Sequence, residues 1–116
     1  MSIIYIKFRS LNDVIYDTFN EISENAYIQE NDAGWNFKTK MDQLTVAGRV
    51  TTKYYYTPSI NSYFKCTFSI DSDAVEVTNL IKAETTWNIV EIEIISETDF
   101  NTAIGENQLT DFLSWT

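Results

Sequence analysis

The sequence predicts one α+β domain, a twisted, mainly antiparallel sheet of about five to seven strands, with one N-terminal helix packed on a face and one or two short C-terminal helices. Three observations predict it. Several segments alternate apolar and polar residues, the period of a half-buried strand. A segment near the N-terminus instead repeats apolar residues at three- and four-residue steps, the period of a helix face. Finally, 116 residues that are 44% hydrophobic and 15% aromatic, with three glycines and one proline, can build one packed core and leave little room for a second domain.

The elements follow in order. Ile4, Ile6 and Phe8 alternate with Tyr5 and Lys7, as in a strand. Leu11, Val14, Ile15, Phe19 and Ile22 then share one helical face over residues 10–25, and Ser10 followed by Asp13 supplies a capping signal. "AYIQENDAGWNFKTK" reads as two short strands joined around "NDAG", because Asn, Asp and Gly carry turn chemistry.

Two long strands meet next at "TPSIN". On the first, Val46, Gly48, Val50, Thr52, Tyr54 and Tyr56 share one face, and Thr45, Ala47, Arg49, Thr51, Lys53 and Tyr55 share the other. On the second, Phe64, Cys66, Phe68 and Ile70 oppose Tyr63, Lys65, Thr67 and Ser69. Antiparallel pairing places Arg49, Lys53, Tyr55, Tyr63 and Lys65 on a common outer face and Cys66 in the core. "AVEVTN" and "WNIVEIEIIS" suggest further strands, with Val90, Ile92 and Ile94 facing in and Glu91 and Glu93 facing out. The tail changes period. Phe100, Ala103 and Ile104 take helical spacing after a Ser96 cap, and Leu109, Phe112 and Leu113 do so again after Gly105.

Residue usage narrows the chemistry. With no histidine, every Ser-His, Cys-His and His-metal mechanism is excluded. The single cysteine excludes an intrachain disulfide and a multi-cysteine zinc site. No catalytic motif is legible, and the expectation is a protein without enzymatic activity or cofactor. The N-terminal apolar run is too short for a signal-peptide core, and no segment approaches the roughly 18 apolar residues of a membrane helix, so a cytoplasmic location is expected.

Charge is unevenly spread. Residues 1–35 carry six acids and two bases, 36–70 one acid and five bases, and 71–116 ten acids and one base, giving segment nets of −4, +4 and −9 within a total of −9. Asp13, Asp17, Glu21 and Glu24 form a stripe opposite the apolar face of the first helix, at neighbouring spacings of about 6 Å. Such a stripe solubilises the helix, and it also presents negative charge to a basic partner.

Glu91 and Glu93 form a second acidic pair, about 7 Å apart on one strand face. That separation also occurs between the two carboxylates of an inverting glycosidase, but no sugar cleft is signalled here. Asp71, Asp73 and Glu76 in "DSDAVE" gather oxygen ligands without the EF-hand pattern, and read as an acid-rich turn.

The functional expectation is a small acidic binding protein of the inhibitor, immunity or phage counter-defence type. Its partner is a basic protein such as a nucleic-acid-processing enzyme or a toxin. Asp13, Asp17, Glu21, Glu24, Glu91 and Glu93 supply charge, and Trp35, with Trp115 as a second choice, anchors the contact. The alternative is an assembly protein whose basic face (Arg49, Lys53, Tyr55, Tyr63 and Lys65) docks on the acidic face of another copy, giving a homo-oligomer. Weak single-stranded nucleic-acid binding by that basic, aromatic face ranks third, because a chain of pI about 4.2 repels phosphate overall.

Overall fold

The computed structural model describes residues 1–11, 15, 33–55, 60–83, 86–87, 90–113 and 115, with the backbone alone described for 33–35, 86–87 and 90. In chain order the elements are β1 (Ser2–Ser10), α1 (Ala33–Val46), β2 (Val50–Tyr55), β3 (Asn61–Phe68), α2 (Asp71–Ala83), β4 (Thr86–Trp87), β5 (Val90–Ile95), α3 (Glu97–Ile104) and β6 (Leu109–Phe112). The strands form one sheet in the order β4-β5-β1-β3-β2-β6, with every neighbouring pair antiparallel. Five strands form its body, and β4 adds two residues at one edge.

The predicted alternation decides the two faces. Ile4, Ile6 and Phe8 of β1, Phe64, Cys66 and Phe68 of β3, Val50 of β2 and Ile92 of β5 point into one core. Two helices cover that face. Phe37, Met41 and Leu44 form the buried stripe of α1, and Ala74, Val77 and Ile81 that of α2. The helices pack side by side, and a 3.1 Å ion pair joins Lys40 to Glu76 across them. On the opposite face, α3 lays Phe100 over the sheet, 4.8 Å from the Tyr5 ring and 6.4 Å from that of Tyr63. The result is three layers, the third of them short.

Several expectations need correction. The first described helix is α1, which follows β1 and is not N-terminal. Ser10, expected as a helix cap, ends β1 and is buried. Of the helix expected over 10–25, Leu11 and Ile15 are described and both are exposed, while the remainder of its apolar face lies outside the described residues. The second strand expected in "AYIQENDAGWNFKTK" is the start of α1 instead. The strand expected from residue 45 begins only at Val50, because α1 runs on to Val46.

Gly48 stops that helix. It holds φ +71°, its N–H reaches the Thr45 carbonyl, and the Arg49 N–H reaches that of Leu44, which together form a Schellman closure. "AVEVTN" is helical within α2: Val77 is buried and Val75 is 60% exposed, whereas a strand would put both on one face. Leu109 and Phe112 lie in a strand, paired to β2, and not in a helix. The Ser96 cap is as expected, its hydroxyl accepting from the Asp99 N–H at 3.0 Å.

Candidate functional site

The face turned away from α1 and α2 carries four of the eight lysines and arginines: Lys7, Arg9, Lys53 and Lys65. Reading across it from β5 through β1, β3 and β2 to β6, one register row holds Glu93, Lys7 and Tyr63, and the next holds Ile95, Tyr5, Lys65, Lys53 and Asp111. Arg9 lies opposite Glu91 with 3.6 Å between charged atoms, and Lys53 opposite Asp111 with 3.7 Å. The arrangement is a central basic strip, Lys7, Arg9, Lys65 and Lys53, with carboxylates on the strands at its two sides. Four of the five residues expected on the basic face therefore come together: Lys53, Tyr55, Tyr63 and Lys65.

Arg49 does not join them. It precedes β2 and turns to the start of α2, where its Nε and Nη2 donate to the two Asp73 carboxylate oxygens at 3.0 and 2.8 Å. The Asp73 side chain is only 5% exposed, so this forked pair ties the α1–β2 connection to α2. The Ser2 hydroxyl donates to Asp71 at 2.6 Å, and together with the N-terminal ammonium it holds that exposed carboxyl below its usual range. "DSDAVE" is thus the first turn of a helix whose two aspartates have separate partners, and not an acid-rich turn.

The two tyrosines under Phe100 are perturbed upward. Burial raises Tyr5, with Glu97 adding to the effect, and burial alone raises Tyr63. Both rings pack against Phe100 of α3, which covers part of their surface.

Glu91 and Glu93 lie on β5, as expected, and face outward beside an open part of the sheet. Val90 and Glu91 pair with Trp87 and Thr86 of β4. Among the described residues, 92–95 have β1 on one side and no hydrogen-bonded strand on the other. A depression of about 330 Å³ follows this edge, lined by Ile81, Lys82, Glu91, Ile92, Glu93 and Ile94. Its floor is apolar and its rim mainly acidic. Sequence reasoning found the glutamates but missed Ile81, which the chain brings in from α2.

The stripe Asp13, Asp17, Glu21 and Glu24 lies outside the described residues. Trp35 falls in the first turn of α1, where the backbone alone is described. Trp115 cannot anchor a partner, being fully buried among Phe37, Phe64 and Phe112 at ring distances of 4.6–5.5 Å.

Compared with known proteins, the chain matches no family model, and neither a curated protein nor a solved structure shows significant similarity to it. Among the described residues no helix is long and apolar enough to cross a membrane.

Proposed function

We propose that this chain is a small non-catalytic binding protein that holds a basic protein partner through the acid-bearing edge of its sheet, blocking the segment it occupies. The half-open β5 edge carries this reading. An extended peptide added there gains main-chain hydrogen bonds, and its alternate side chains meet the Ile81, Ile92 and Ile94 depression on one side and Glu91 and Glu93 on the other. A segment alternating aliphatic residues with lysine or arginine fits that chemistry. The acids at 13, 17, 21 and 24 add steering charge, while apolar contacts supply most of the affinity, since exposed charge pairs are worth about 0–1 kcal/mol each.

The test is a titration of the isotope-labelled chain with a synthetic peptide of alternating valine and lysine, followed by amide shifts. Saturable shifts over residues 92–95 and at Ile81 are expected. The double reversal Glu91→Lys with Glu93→Lys is expected to weaken binding about tenfold or more, each reversal costing roughly 1 kcal/mol. Unchanged affinity in that variant, or shifts confined to other strands, would overturn the reading. Concentration-dependent shifts at β5 without peptide would replace it with strand pairing between two copies.

A further inference from the structure

We propose that the outer face holds a binding site for a small phosphate-bearing ligand, built from Thr51 and Lys53 of β2, Lys65 and Thr67 of β3, and Gln108. The register makes the constellation. Lys53 is directly opposite Lys65, and two residues along the ladder Thr51 is directly opposite Thr67. Facing residues of an antiparallel pair hold their Cβ atoms about 4.5–5.5 Å apart, and the two rows are separated by about 7 Å. Two lysine side chains and two threonine hydroxyls therefore rise from adjacent rows of one face, the long lysine stems able to bring their ammonium groups toward an anion seated over the hydroxyls.

Like charges placed directly opposite destabilise a sheet. Asp111 offsets this only in part, at 3.7 Å from the Lys53 ammonium and mostly exposed. Lys65 faces Tyr5 on its other side, and among the described residues no carboxylate lies within ion-pair distance of it. Among the described residues the pair is thus short of one anion.

A cavity of about 420 Å³ lies over these residues, with Gln108 and Leu109 as further lining. This volume falls within the range of small-ligand sites. Two ammonium groups, two hydroxyls and a carboxamide all offer donors to an oxyanion, and among the described residues that line the cavity none is a carboxylate, Asp111 lying beside it against Lys53.

The size of the ligand follows from the surroundings. A nucleic-acid strand needs aromatic platforms and a basic track. Tyr5 and Tyr63 instead lie against Phe100, and the chain carries a net charge of −9. A single phosphate meets the local cation pair without spreading into that unfavourable field.

The experiment titrates the full chain at constant ionic strength with inorganic phosphate, a nucleoside 5′-monophosphate, and chloride as control, reading amide shifts and melting temperature. Saturable shifts at Thr51, Lys53, Lys65 and Thr67 are expected for both phosphates and not for chloride. Equal affinity would identify free phosphate as the ligand, and tighter monophosphate binding would place an organic group over Leu109. Lys65→Gln is expected to weaken binding at least tenfold. Its own melting temperature should not fall, because the substitution removes a repulsion, and phosphate should no longer raise it. Shifts that never saturate, shifts that chloride reproduces, or full affinity in Lys65→Gln would overturn the site. An oligonucleotide binding through the same residues more tightly than the monophosphate would overturn the assignment to a small ligand.

Discussion

Cys66 shows how one position can be chemically silent. It is fully buried opposite Thr52, and burial pushes its thiol from about 9 up to about 12, with the Thr52 hydroxyl opposing the shift only in part. A raised folded value means that this stabilising contribution is fully present below the unfolded value near 9 and is lost as pH rises through about 12. Stability should fall by up to about 1.4 kcal/mol per pH unit across that window. Tyr5 and Tyr63, also raised, act in the same direction. Chemical denaturation from pH 8 to 11 is expected to show this slope, and Cys66→Ala to reduce it. At pH 8 a thiol reagent should label Cys66 only as fast as the chain unfolds. Labelling at the rate of a free thiol would contradict the burial. Asp73 stands at the other extreme, since removing its charge leaves Arg49 without its forked acceptor. Asp73→Asn should cost about 1–3 kcal/mol, discounted toward the lower end because Arg49 is half exposed, and read as a lowered denaturation midpoint at unchanged slope.

At the level of the element, α2 reads as a strand because Val75 and Val77 satisfy a two-residue alternation and Thr78 adds a third β-branched residue, although Ala74, Val77 and Ile81 equally make a helical stripe. Local preference favours a strand, and packing decides for the helix. Ala74, Val77 and Ile81 meet the core on one side, while Asp71 begins the helix and Lys82 ends it, the charge order that suits the helix dipole. The two readings differ in a measurable way. Val77→Ala should lower stability by about 1–3 kcal/mol, whereas Val75→Ala should stay within about 0.5 kcal/mol. Equal losses at both positions in thermal melts would contradict the helix. A similar ambiguity explains α1. The stripe of Phe37, Met41 and Leu44 goes unread when Gly48 is taken into a strand face and "NDAG" into a hairpin turn, although Asn and Asp also favour helix starts and Gly helix stops. Strands flanked by strong alternation were legible throughout, down to which residues of β2 and β3 face out.

Across the molecule, what the sequence could not show is which strands are neighbours. The expected basic face was correct on β2 and β3, yet the sequence did not reveal that β1 adds Lys7 and Arg9 or that β6 sets Asp111 opposite Lys53. Nor did alternation say where β4 ends along β5, which defines the open edge. Such facts depend on contacts between distant segments, and local patterns do not encode them. The same sheet order has a consequence in time. β1 is a central strand, and its Tyr5 pairs with Lys65 on one side and Ile95 on the other. At about 5–20 residues per second, the ribosome releases this apolar strand on the order of 10 s before β5 exists to flank it. The nascent chain must therefore carry an unsatisfied strand until residues 90–95 have been made, and closure of the sheet waits on that distant segment.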